Sequence, residues 1–342
     1  MERKYTIAID AMGGDNAPAS AMDGLALICG HLKKAGVGLM IFGQPEALRP
    51  YIEKHPQLAA ISEIVDAPEV VAADAKPSAV IRSGRKTSMW MAIEAVREGR
   101  ADAVVSAGNT GCLMGISKLL ISMIAGIKRP AISTIFPAAN NGSVVMLDLG
   151  ANAECDETNL FQFAILGSAY AHSIGVGRPR VGILNIGSEA GKGLPYLTLA
   201  EGLLEKAKGK LGFDYSGFVE GDDIFKGKVD VIVTDGFSGN IALKTLEGTA
   251  KFMAAGIKDA IKSSILAKLG AVLMMGALRK FKDKFNPNKY NGAVLLGLSG
   301  IVVKSHGGAD AYGFSQAVKY ASAMTSSGFT ARVREEMARL EE

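Results

Sequence analysis

Cysteine is scarce in this 342-residue chain: Cys29, Cys112 and Cys155 stand far apart, odd in number and without a CxxC pair. That excludes a disulfide-stapled secreted scaffold and fits a reducing cytoplasm. The four histidines, His31, His55, His172 and His306, show no metal-ligand spacing, so no metal site is expected. Aromatics make up only 6% of residues, and the net charge is +4. With no aromatic RNA-binding motif and no long basic arm, nucleic acid is not an expected partner. Long apolar runs are also missing: the most lipid-like stretch, 269–278, has about half the length a bilayer-spanning helix needs. The opening residues, with Glu2, Arg3 and Lys4, lack the apolar stretch and cleavage site of a signal peptide. The expectation is a cytoplasmic protein with no transmembrane span, open to contact with a membrane surface.

What is abundant is apolar residues (48%) and glycine (41 residues), a balance that suits α/β proteins. Short β-branched runs at 5–10, 38–42, 103–106, 143–149, 181–186 and 229–234 alternate with helical patterns. Several are apolar on both faces, as strands between two helix layers are. Met89, Ile93 and Val96 share one face of a helix expected over about 86–98. The stretch 111–124, apolar nearly all round, predicts a buried central helix. The alternation predicts a mainly parallel sheet with crossover helices, whose ligands sit at the carboxyl ends of strands. No Pro/Ser-rich linker divides the chain, so 1–342 reads as one α/β domain, of one lobe or two. From 249 to 284 the pattern is helical throughout, which predicts a projecting helical hairpin.

Five strand ends run into Gly-rich or Asp/Asn-bearing turns. The first carries Asp10 before Met12-Gly13-Gly14-Asp15. The second is Ser106-Ala107-Gly108-Asn109-Thr110-Gly111, the third Asp148-Leu149-Gly150-Ala151-Asn152. The fourth is Gly187-Ser188-Glu189-Ala190-Gly191-Lys192-Gly193, and the fifth Thr234-Asp235-Gly236-Phe237-Ser238-Gly239-Asn240. The second and fifth share [Ser/Thr]-x-Gly-x-[Ser/Thr]-Gly between a strand and a helix. Glycine permits a sharp turn and close ligand approach, the hydroxyl can cap the helix, and the free N–H groups favour an anion. Each turn alone is better explained by an ordinary capped helix start. Together, they predict an anion site whose two turns face one another across a cleft. Lys192, between two glycines, suits a phosphate or a polarised carbonyl, and equally a solvated loop lysine. The loop is not a Walker A motif, no GxGxxG precedes a ribose-binding acid, and 236–239 is not a GxSxG elbow. Cys112 reads as a core residue of its helix. His306 follows the strand-like Val302-Val303-Lys304-Ser305 and precedes Gly307-Gly308, so it is placed at a strand end, as an acid/base group or a surface histidine.

In order along the chain stand IAIDAMGGDNAP, SAGNTG, LDLGAN, LNIG with GKG, VTDGFSGN with LKTLEG, and VVKSHG. This ordered set, spanning about 6–323, resembles the PlsX family of phosphate acyltransferases. The resemblance implies a three-layer α/β/α sandwich, like isocitrate and isopropylmalate dehydrogenases and phosphotransacetylases. It implies that inorganic phosphate attacks the thioester of a fatty acyl chain on acyl carrier protein, yielding acyl phosphate for phospholipid synthesis. It implies a homodimer without organic cofactor, held peripherally at the membrane and feeding a downstream glycerol-3-phosphate acyltransferase. On that reading Lys192, His306 and Asn240 are catalytic. Asp10, Gly108, Asn109, Thr110, Gly111, Asp148, Asn152, Ser238 and Gly239 bind substrate, with Asn152 and Asn240 as amide donors. Two departures stand out: Leu194-Pro195 where the family has Asn-Glu, and Gly308-Ala309 where Ser-Ser is common, leaving Gly307 and Gly308 N–H groups as substitutes. The apolar 269–278 stretch with Arg279, Lys280, Lys282 and Lys284 suits an anionic membrane, an acidic carrier protein or a dimer interface. Two competing readings are an NAD-dependent decarboxylating dehydrogenase, which needs a ribose-binding acid and an Asp cluster, and a non-catalytic membrane-associated scaffold.

Overall fold

The structure, a computed structural model, describes residues 4–139, 142–189, 191–284 and 286–340. Eleven strands form one sheet: β1 (Tyr5–Asp10), β2 (Val37–Gly43), β3 (Ser62–Asp66), β4 (Ala103–Ser106), β5 (Ala131–Pro137), β6 (Ser143–Leu147), β7 (Arg180–Leu184), β8 (Asp214–Val219), β9 (Val231–Val233), β10 (Ala293–Leu296) and β11 (Ile301–Lys304). Their spatial order is β3-β2-β1-β4-β11-β10-β5-β6-β9-β7-β8. Successive side chains go to opposite faces, and both faces are covered. Ile7 and Ile9 lie in a core shared with helices 19–34 and 311–326, which continues across the sheet to Leu147 and Val231 under helix 157–173, whereas Ala8, Met40, Phe42 and Val104 share a core with helices 88–97 and 110–120 on the other face. This is the three-layer sandwich expected. Helix 88–97 buries Met89, Ile93 and Val96 as its spacing predicts, and starts at Thr87, whose hydroxyl accepts from Trp90 N–H.

Two expectations change. The central buried helix is Glu157–Ser173, buried on nearly every side, not 111–124. The latter is helical only from Thr110 to Leu120, with Leu119 56% exposed. Its apolar excess belongs partly to Ile121 and Ile124, which are buried in the loop that follows. The sheet is parallel in two blocks of opposite sense. β3, β2, β1, β4 and β11 run one way and β6, β9, β7 and β8 the other, with β10 and β5 between them. Three antiparallel pairings, β11–β10, β10–β5 and β5–β6, separate the blocks. The carboxyl ends of β1, β4 and β11 therefore emerge at one edge, and those of β6, β9 and β7 at the other.

Helix Gly236–Lys262 begins directly at the fifth turn rather than near 249, and Ile265–Leu273 and Met275–Lys284 follow it. From 240 to 281 no described residue is buried, although Phe252 (80%), Leu266 (81%) and Leu273 (89%) are apolar and exposed. Among the described residues no helix is long and apolar enough to cross a membrane.

Candidate active site

At the first edge β1, β4 and β11 end in register, with Asp10 beside Ser106 and Ser106 beside Lys304. The buried Asp10 carboxylate accepts from Ser88 Oγ and Ser106 Oγ, each at 2.6 Å, and from the N–H groups of Met12 and Gly13. Burial pushes this carboxyl above its usual range and the four donors oppose that. Four donors fill a carboxylate's lone-pair sites, so Asp10 ties the turn ends together and has no acceptor left for a ligand. A Cβ on Gly13 would lie 2.6 Å from Asp10 Oδ2 and 2.7 Å from Gly108 N, so only glycine lets the first two turns touch.

Asn109 caps helix 110–120. Its Oδ1 accepts from Cys112 N–H at 2.9 Å, while Nδ2 donates to the carbonyls of Ala73 (2.8 Å) and Ala75 (3.2 Å). The cap is thus the asparagine, and the exposed Thr110 hydroxyl is left without a partner among the described residues. The N–H groups of Thr110 and Gly111 find no acceptor there either. Lys304 Nζ donates to Ala107 O at 3.2 Å and to Ser305 O. Burial brings its ammonium down to about 8, against the pull of Asp10 and Asp15. His306 is exposed; its N–H donates to Asn291 Oδ1 at 2.8 Å and its Nδ1 accepts from Gly308 N–H at 3.1 Å. That bond assigns the proton of the neutral ring to Nε2, which faces outward as a donor. Of the two expected N–H substitutes, Gly308 is therefore engaged by His306, and Gly307 keeps its N–H free among the described residues.

At the second edge Asp148 is fully buried. Its Oδ1 accepts from the N–H groups of Ile132, Gly150 and Ala151, and its Oδ2 from Asn152 N–H and Nδ2. Asn152 gives its remaining amide proton to Pro130 O at 2.7 Å. Both expected substrate-binding side chains of this turn, the acceptor Asp148 and the donor Asn152, are therefore engaged in building it. Helix 236–262 is capped by Asp235, which accepts from Ser238 N–H at 2.8 Å and from Tyr196 Oη at 3.1 Å. Again the acid is the cap, and Ser238 presents an exposed hydroxyl. A Cβ on Gly239 would fall on Asp148 O, so that glycine allows the helix to reach the third turn. Asn240 lies over Gly150 with its amide free of partners among the described residues. Lys192 is half exposed and paired with Glu189 at 2.8 Å, which raises its pKa. Asn185 Nδ2 holds the Lys192 carbonyl at 3.0 Å. Ala190, inside this loop, and the side chains of Lys282 and Lys284 lie outside the described residues.

The candidate residues thus form two groups. Asp10, Gly108, Asn109, Thr110, Gly111 and His306 meet at the first edge; Asp148, Asn152, Lys192, Ser238, Gly239 and Asn240 meet at the second. Five strand spacings from β4 to β9, at roughly 4.8 Å each, set them about 24 Å apart across the sheet alone. The two similar turns do not face one another within one chain, because the antiparallel middle of the sheet inverts the second block.

The family model described as fatty acid synthesis protein matches residues 5–332. The phosphate acyltransferase of Rhodospirillum centenum is 48% identical over 342 residues, covering 100% of this chain and 95% of that protein. That of Caulobacter vibrioides is 46% identical over 341 residues, covering 99% and 93%. The chain belongs to this family. It is an acyltransferase. Among solved structures, a phosphotransacetylase from Streptococcus pyogenes superposes with a TM-score of 0.59 at 18% identity, covering 94% of each chain. A putative 4-hydroxythreonine-4-phosphate dehydrogenase from Salmonella typhimurium gives 0.55 at 15%, covering 94% and 99%. At such identities these two show the shared fold.

In this acyltransferase neither Cys112 nor Cys155 is an activated thiol. Burial raises Cys112, inside the core, and pushes Cys155 to about 11. Sequence reasoning missed Lys304, Ser88, Asp235 and Tyr196. Lys304 has a legible signal, a lysine ending a run of apolar strand residues two places before His306.

Proposed function

We propose that the chain moves a fatty acyl group from the thioester of acyl carrier protein to inorganic phosphate, making acyl phosphate for phospholipid synthesis. A phosphate oxygen forms the new bond to the carbonyl carbon, the carbon–sulfur bond breaks, and the proton of hydrogen phosphate ends on the released thiol. Phosphate is already a nucleophile, so neither an enzyme nucleophile nor an organic cofactor enters. The protein's part is to hold phosphate against the carbonyl and stabilise the oxyanion. The observation that carries this reading is the surplus of unpaired donors at the start of helix 110–120, beside His306. Phosphate sits on Thr110 and Gly111, with His306 Nε2 as its anchor or as acid to the leaving thiol. Lys192, Asn240 and the Ser238 hydroxyl polarise the thioester.

Since these groups lie at opposite edges, a site that uses both is assembled from two copies, one chain giving His306 and its partner giving Lys192. The apolar surface of helices 236–262 and 265–273 supports such a homodimer, with its tip on an anionic membrane near the downstream glycerol-3-phosphate acyltransferase. The protein then works in the cytoplasm, peripherally attached. Thiol release from acyl carrier protein, assayed with and without phosphate, tests the reaction. Release that ignores phosphate contradicts it, and hydride transfer to a nicotinamide would favour the dehydrogenase reading.

A further inference from the structure

We infer that Lys304 binds the phosphate nucleophile, a deepening that rests on the reaction just proposed. Lys304 closes β11 and reaches across to the second turn, where its ammonium bridges the carbonyls of Ala107 and Ser305. Two of its three N–H donors are used there, and one remains. No carboxylate lies within ion-pair distance of it among the described residues. Asp10, the nearest acid along the sheet, has its oxygens filled by Ser88, Ser106 and two backbone N–H groups. The turns beside it carry further unfilled donors: Thr110 and Gly111 N–H and the Thr110 hydroxyl on the turn whose Ala107 carbonyl it holds, and Gly307 N–H and His306 Nε2 on its own. Although the Asp15 carboxylate lies beside Gly307 and Gly308, it makes no ion pair with Lys304; a half-buried cation with a donor to spare, between two turns that carry unfilled donors, is matched by a tetrahedral oxyanion. Lys192, by contrast, is exposed at the other edge and already paired with Glu189.

Burial depresses the Lys304 ammonium to about 8, against the pull of Asp10 and Asp15. The titratable groups facing it are Asp10 at the end of β1, Asp15 in the loop after it, and His306 on its own turn; the 106–111 turn contributes none. Phosphate stays a dianion above its second ionisation, so its own charge is constant through an alkaline series, and Lys304→Arg is the control for the lysine.

The test uses the full-length protein, with Lys304→Met and Lys304→Arg. Steady-state rates are taken against phosphate and against acyl carrier thioester, with phosphate binding followed separately by calorimetry. Expected for Lys304→Met is a rise in phosphate KM of about tenfold or more, the loss of one charge-assisted contact, with thioester KM within about twofold. In the wild type phosphate KM climbs above about pH 8, and in Lys304→Arg it stays flat, because guanidinium keeps its charge. A folded Lys304→Met with wild-type phosphate KM overturns the inference. So does a wild-type KM flat through the alkaline range, the reading that remains if Lys304→Met fails to fold. If the wild type binds phosphate but transfers no acyl group, the reaction is wrong and binding decides for Lys304. Loss of binding in Lys304→Met then supports it, and unchanged binding, or none in the wild type, refutes it.

Discussion

Asp148→Asn separates a structural carboxylate from a substrate ligand. The wild-type side chain accepts five hydrogen bonds and is fully buried. Asparagine has one oxygen. Oδ1 serves three backbone N–H groups, so the better choice puts the new NH₂ where Oδ2 was. There it confronts Asn152 N–H and Nδ2, two donors that lose their acceptor. Each buried unsatisfied donor costs about 1–3 kcal/mol, so the pair sums to roughly 4 kcal/mol. For 342 residues at about 2.1 cal/mol/K per residue, the unfolding entropy is about 0.7 kcal/mol/K. The melting midpoint should therefore fall by about 6 °C in scanning calorimetry without substrates. Activity should fall too, since the Asp148 turn seats Gly150 under Asn240. An unchanged midpoint with lost activity would refute the structural account and return Asp148 to substrate contact.

Lys192→Ala should lower turnover by about 10²–10³ with an unchanged midpoint, because the exposed ion pair with Glu189 contributes little to stability; near-normal turnover removes it from catalysis. Mixing inactive Lys192→Ala and His306→Ala chains, with subunits allowed to exchange, should restore roughly a quarter of wild-type activity if two copies share each site. No recovery in demonstrated mixed dimers would place all the chemistry within one chain. Lys304 titrates near 8 when folded and near 10.4 when unfolded, so the unfolded chain holds more protons between those values. Its burial penalty is complete below pH 8 and is relieved as pH rises. Wild-type stability, minus that of Lys304→Met, should then gain roughly 1–2 kcal/mol from pH 8 to 10, allowing for solvent screening; a flat difference contradicts the assignment. Leu266→Glu with Leu273→Glu should weaken self-association or vesicle binding in ultracentrifugation and flotation, and no change in either would leave that apolar surface without a role.

Much of the fold was legible because strands 5–10 and 103–106 are apolar on both faces and end at polar turns, features that need no knowledge of neighbours. The strand at 131–137 was not legible: its burial alternates where it pairs antiparallel with β10 and β6, and that pairing is long-range. The same invisible pairings reverse the second block, which is why two turns of one pattern were expected to meet and instead lie apart. Site chemistry was legible as donors and glycines at strand ends. What could not be read was which of them the fold would use up. Asn109, Asn152, Asp10 and Asp148 look free in sequence, yet their polar atoms are largely engaged by serine hydroxyls and by backbone groups of their own and neighbouring turns. Thr110 and Ser238 look like ordinary caps, yet they remain available because Asn109 and Asp235 do the capping.

The central claim is that phosphate is the nucleophile. Incubating the protein with acyl carrier thioester and [³²P]phosphate, then extracting into organic solvent, measures it directly. The account predicts labelled acyl phosphate appearing one-for-one with free thiol. Thiol released without label in the organic phase, the fatty acid appearing free instead, would contradict it.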